Sequence, residues 1–108
     1  MGVSLPEAEV CMIRSGTQVL EVAVERQTDP DDLIQYLIEE TCTSEPVPAL
    51  GASARLVFGC RKETRVFFAQ GKYLVRLELR TGAESTAADR AWLTGVAIER
   101  AKVPAAQP

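Results

Sequence analysis

The chain has 108 residues and no histidine. That one absence removes the commonest general base, the commonest metal ligand and the ordinary pH switch. Long apolar runs are also missing, and none approaches the roughly 18–20 residues a membrane span needs. Nor is there an excess of positive charge: twelve Lys and Arg stand against fifteen Asp and Glu, a net of −3. A dedicated nucleic-acid binder is usually basic, so that class is disfavoured. Cys11, Cys42 and Cys60 form no CxxC pair, and no histidine is present to complete a structural zinc site. An odd count allows at most one internal disulfide. Free cysteine behaves as a small apolar residue, so three buried thiols are the expected state. Glycines 51, 59, 71, 82 and 95 make no phosphate-binding pattern. No cofactor and no metal are therefore expected.

What is present is the composition of a globular domain, 46% apolar and 25% charged, of a length that fits one domain over 1–108. The ordered core is expected at about 8–102, with 103–108 a patternless tail. The opening MGVSLPEAEV has no basic stretch followed by an apolar one, so no signal peptide is visible. The chain reads as cytoplasmic as written, and as extracytoplasmic if a leader has been removed. The net charge conceals a split. Residues 1–50 hold two basic and ten acidic side chains, a net of −8, and residues 51–108 hold ten and five, a net of +5. Such asymmetry either marks an interaction surface or neutralises itself where the halves meet in one fold. The second is expected.

Residues 8–14 and 18–26 flank Ser15-Gly16-Thr17, a loop of hairpin length. In the second run Leu20, Val22 and Val24 alternate with Glu21, Ala23 and Glu25, the pattern of a half-buried antiparallel strand. Asp29-Pro30-Asp31-Asp32 starts a helix: Asp29 caps, Pro30 suits the first position and the carboxylates favour the positive dipole end. Leu33, Ile34, Leu37, Ile38 and Thr41 continue it for roughly three turns. Thr43–Gly51, with Pro46 and Pro48, reads as a connection. Strands are expected over 54–61, 65–70 and 73–80, the last two joined by a Gly71-Lys72 turn. A final helix starts at Ser85 or Thr86, with Asp89 completing a capping-box-like start. Its expected buried face is Ala88, Ala91, Trp92, Gly95 and Val96. The fold class is α+β in the order β-β-α-β-β-β-α, a five-stranded, largely antiparallel sheet with two helices on one face.

Catalytic sets are hard to find. Cys11, Cys42 and Cys60 have no histidine to activate them. Asp31-Asp32 and Glu39-Glu40 are adjacent on a helix, diverge by about 100° and do not converge on a site. A lone acid or base such as Glu21 or Tyr73 is conceivable, but nothing in the spacing singles one out. The basic set Arg55, Arg61, Lys62, Arg65, Lys72, Arg76 and Arg80 either binds an anion or acidic partner or pairs across strands with Glu21, Glu25 and Glu78, and pairing is favoured. Val66 and Phe68 alternate with Phe67, so one aromatic leaves the main core. With Leu74 and Val57, Phe67 makes an apolar patch on the charged sheet face, either an interface or ligand floor or an ordinary surface apolar.

Two stretches carry a resemblance. One runs from Cys11 through a glycine turn and Leu20-Glu21-Val22-Ala23-Val24 to the helix at Pro30. The other is Val47-Pro48-Ala49-Leu50-Gly51-Ala52-Ser53-Ala54, followed by strands reaching Gly71-Lys72-Tyr73-Leu74-Val75 and an Ala-rich helix. Together, over about residues 8–101, they resemble the small PsbP-like α/β domains of actinobacterial extracytoplasmic lipoproteins and sensor modules. The resemblance implies a non-catalytic bacterial binding or sensing module, sometimes dimeric. The chain departs from that pattern by lacking the N-terminal helix and the usual partner cysteine. No functional residue transfers, because the family has no agreed site motif.

The expected function is thus a non-enzymatic binding module, a homodimer that uses its semi-polar sheet face to hold a protein partner or a small ligand. The face is assigned to Glu21, Phe67, Leu74, Arg76 and Arg80, with no catalytic residue, no nucleic acid and no membrane span. The alternative is a small histidine-free enzyme of cyclase or isomerase type. Its sign would be an apolar pocket of about 300 Å³ or more with one acid or base. A third option is an electrostatic partner-binder using the basic strands.

Overall fold

The computed structural model describes residues 8–15, 18–60, 63–82 and 84–103, with the backbone alone described for 8–15. The Gly16-Thr17 turn, Arg61 and Lys62 of the basic set, the opening segment and the tail from 104 lie outside the described residues. The elements run β1 (Ala8–Ser15), β2 (Gln18–Arg26), α1 (Pro30–Leu37), β3 (Thr43–Pro46), a 3-10 turn (Pro48–Leu50), β4 (Arg55–Phe58), β5 (Glu63–Gln70), β6 (Tyr73–Arg80) and α2 (Ala87–Ala101). Among the described residues, one antiparallel sheet runs in the order β1-β2-β6-β5-β4-β3. The α+β class and the order of the expected elements stand. Thr43–Pro46, read from sequence as a connection, adds a sixth strand at the edge. Pro46 is tolerated there because an edge strand leaves one side of its ladder unused.

Alternation along β6 sorts the sheet into two faces. Val75, Leu77 and Leu79 pair across to Phe68, Val66 and Thr64 on β5 and to Val24, Val22 and Leu20 on β2. With Leu56, Leu93 and Ala97 they form the larger core, closed by α2. The other face holds Val57, Phe67 and Leu74, and these pack with Ile34 of α1 into a second core. The helices therefore cover opposite faces, and the expectation of both on one face is corrected. Helical period shows that α1 has an apolar stripe but not which face it covers. Val57, Phe67 and Leu74 form the patch that needs burial, and α1 buries it on the way from β2 to β3. Among the described residues no helix is long and apolar enough to cross a membrane.

The local signals at helix starts hold. Asp29 caps α1, its carboxylate accepting from the Asp32 amide at 3.2 Å, with Pro30 in the first turn. The helix closes after eight residues rather than three turns, with Ile38 already extended. Its last turn carries no basic side chain and is followed by Glu39 and Glu40, whose charges oppose the negative dipole end. Thr86 and Asp89 form the full capping box of α2: Thr86 Oγ1 accepts from the Asp89 amide at 3.1 Å, and the Asp89 carboxylate accepts from the Thr86 amide at 2.9 Å. That backbone hydrogen bond holds the Asp89 carboxyl below its ordinary pKa.

The buried stripe of α2 differs from the expected one. Leu93 and Ala97 are fully buried, whereas Trp92 is 47% exposed. One position, or about 100° of helix, separates the two stripes. Leu93 and Ala97 lie flat on the sheet, with Val96 and Ala101 packed beside them. On the flank Arg90 stacks over the Phe58 ring at 4.2 Å. At the β5–β6 turn Gly71 has φ +62, the left-handed conformation glycine adopts without penalty.

A candidate binding groove on the sheet face

Four of the five residues assigned from sequence to the sheet face act in two ways. Phe67 and Leu74 supply floor, and Glu21 and Arg76 supply charge. Phe67, 2% exposed, and Leu74 are buried under α1 rather than open as a surface patch. Arg76 reaches across β6 to β2, its Nη2 donating to Glu21 Oε1 at 3.0 Å. Its Nη1 also meets Glu78 Oε1 at 3.4 Å. The fifth residue, Arg80, donates through Nε to Glu78 Oε2 at 2.8 Å, and that hydrogen bond, with the Glu78 charge behind it, raises the Arg80 pKa. Glu78 is 4% exposed, so it is a buried carboxylate held by two guanidiniums. It sits directly opposite Glu21 in the β2–β6 register, and Arg76 between them removes the like-charge repulsion. Cross-strand pairing is thus the fate of Arg76 with Glu21, whereas Arg80 pairs along its own strand with Glu78. Glu21 with Arg76 is a point at which the acidic and basic halves of the chain meet.

Beside this row lies a groove of about 350 Å³ between α1 and β2. Leu33 and Leu37 form its helix side, Ala23 and Glu25 its strand side, with Phe67 and Leu74 beneath and Arg65 and Arg76 also in its lining. Glu25, the one carboxylate among the described lining residues, accepts from Gln27 Nε2 at 2.8 Å. Tyr73, weighed from sequence as a lone acid or base, packs against the α2 core on the other face. Phe67, Leu74 and Arg76 were legible as site residues. Arg65 and the α1 leucines were not, because their convergence depends on which face the helix covers.

A second cluster was missed altogether. Cys42 and Cys60 are joined by a disulfide, their Cα atoms 4.5 Å apart, which corrects the expectation of three free thiols. Its cause is β3: pairing Thr43 with Phe58 brings the flanking cysteines together across the sheet edge. Cys60 lies beyond β4, past Gly59 at φ +88, rather than inside a strand. Arg65 Nη2 lies 3.9 Å from each sulfur and 3.6 Å from Glu39 Oε2. Its Cζ is 5.8 Å from the centre of the Phe67 ring. Glu39, Cys42 and Cys60 place three ligand-type atoms within 4.8 Å of one another. With the sulfurs bonded to each other they offer no thiolate to a cation. Cys42 also lines a larger hollow of about 600 Å³ with Asp31, Gln35, Ser53 and Arg55. No family model, curated protein or solved structure matches the chain.

Proposed function

We propose that the protein is a non-enzymatic binding module whose groove between α1 and β2 holds a small ligand with an apolar body and an anionic end. The observation that carries this reading is the groove lining: an apolar floor of Phe67 and Leu74 with Arg65 and Arg76 beside it, cations that a ligand anion would share with Glu39 and with Glu21 and Glu78. Its size lies at the small end of ligand pockets, and convergent polar groups on an apolar floor are what such pockets use. Arginine suits a carboxylate or sulfonate through its paired donors. Binding is favoured over the cyclase or isomerase alternative by the groups present. Among the described residues the only acid in the lining is Glu25, already bonded to Gln27, and Glu21 is engaged by Arg76. The resemblance to PsbP-like domains supports the same class.

The dye anilinonaphthalene sulfonate, an aromatic body with one anionic end, tests this reading. Native protein is expected to bind it saturably, with enhanced fluorescence. Ala23→Phe fills the groove and is expected to weaken binding by at least about tenfold. Ala91→Phe, in the separate hollow between α2 and the 3-10 turn, is expected to leave it unchanged. Equal binding by the Ala23→Phe protein and the parent would refute the assignment.

A specific observation also supports the homodimer. Among the described residues β1 is hydrogen-bonded on one side only, along eight residues, and such an edge accepts another strand. Joining two copies through β1 would continue the sheet. Light scattering on a sizing column is expected to give twice the 11.8 kDa chain mass, and a single-chain mass across micromolar concentrations would exclude the dimer.

A further inference from the structure

We propose that Cys42–Cys60 is a thiol–disulfide exchange site, with Arg65 as the group that stabilises the thiolates released on reduction. Three observations carry this beyond a structural cross-link. Both cysteines are half-buried rather than sealed in the core, and Cys42 lines the hollow beside α1. One guanidinium nitrogen of Arg65 lies 3.9 Å from both sulfurs, so either leaving thiolate emerges beside a fixed positive charge. Arg65 is itself held in place, its side chain 12% exposed, against Phe67 and Glu39. A cation beside a cysteine raises its thiolate fraction, and a stabilised reduced form makes a disulfide more oxidising.

The reductant is a dithiol. One of its thiolates attacks Cys42 Sγ from the hollow. A mixed disulfide forms, the Cys42–Cys60 bond breaks, and Cys60 leaves as a thiolate facing Arg65. The second thiolate of the dithiol then attacks its own sulfur in the mixed disulfide and closes the dithiol into a disulfide. Cys42 is released as the second thiolate. Two electrons pass from the dithiol to the protein, and the two protons of the dithiol go to solvent or to the released thiolates. Glu39 works against Arg65 here, because its carboxylate repels both thiolates and shares the same guanidinium nitrogen.

The test uses the full chain with Cys11→Ser, so that only the pair reacts. Protein is equilibrated with reduced and oxidised dithiothreitol at fixed pH, and free thiols are trapped with a maleimide of high mass. Arg65→Met is expected to shift the equilibrium about tenfold toward the disulfide and to slow alkylation of the reduced protein to a similar degree. Glu39→Gln is expected to shift both in the opposite direction, and it carries the test even if Arg65→Met does not fold. Opposite shifts support the proposal. Equilibria within twofold of the parent, or shifts of the same sign, overturn it. Because dye binding reads the groove and thiol trapping reads the sulfurs, either proposal can fail without the other.

Discussion

Phe67→Ala is expected to cost about 3–5 kcal/mol of stability, read as a drop in urea midpoint at unchanged slope. The side chain is 2% exposed and belongs to the second core with Ile34, Val57 and Leu74. Truncation removes a ring's worth of buried area and leaves a void between α1 and the sheet, where a helix of eight residues has few other anchors. The size of the effect discriminates between architectures. With both helices on the α2 side, Phe67 would lie on a wet sheet face and its loss would cost under about 1 kcal/mol. Trp92→Ala supplies the contrast: the indole is large but 47% exposed, so its removal is expected to change stability by only about 0.5–1 kcal/mol. A smaller loss for Phe67 than for Trp92 would reverse the assignment of the two helices. Domains of this size have only about 5–15 kcal/mol in total, so Phe67→Leu, which leaves a smaller void, is the companion if the alanine protein is largely unfolded.

That contrast also shows where the sequence was readable. Helix starts were legible because their chemistry is local: Asp29 and Pro30 for α1, Thr86 and Asp89 for α2, each completed within three residues. Strand faces were legible because period two puts Val66 and Phe68 opposite Phe67 whatever the rest of the chain does. The groove was half legible for the same reason, since Phe67, Leu74 and Arg76 follow from strand parity alone. Parity and helical period say nothing, however, about which layer meets which. The α1 stripe fits either apolar face, and the stripe expected for α2 lies about one residue from the one the sheet buries. Trp92 belongs to the expected stripe, but Leu93 and Ala97 are the residues that enter the core.

The missed disulfide and the missed sixth strand have one cause. Thr43–Pro46 is four residues long, contains a proline and shows no clear alternation, so it has little strand character by itself. Its structure comes from pairing with β4 at Thr43↔Phe58 through Pro46↔Arg55. Without that register there is no reason to place Cys42 near Cys60, eighteen residues on. With it, Arg65 and Glu39 also fall into place, because both reach the cystine from elements that β3 and β4 position. One short non-local pairing thus hid the whole cluster.

Replacing the cystine by Cys42→Ser together with Cys60→Ser is expected to lower stability by about 3 kcal/mol, the loop-closure term for a link of this span. The loss should be global in denaturant melts but locally visible in hydrogen exchange. Amides of the β3–β4 ladder, at the sheet edge, are expected to exchange faster, and those of β5 and β6 to follow global stability. A loss under about 1 kcal/mol would mean that β3 holds its register without the link. Reduction of the wild-type bond need not give the same figure. Folding and reduction form a closed cycle, so the stability lost on reduction equals the extra free energy needed to reduce the bond in the folded chain. About 3 kcal/mol makes the folded disulfide roughly 150-fold harder to reduce than the unfolded one. Thiolate stabilisation by Arg65 exists only in the folded chain and acts against that factor. At a pH where the thiols ionise, reduction is therefore expected to destabilise the parent less than it destabilises Arg65→Met. Equal losses in the two proteins would leave the cystine as a staple and nothing more.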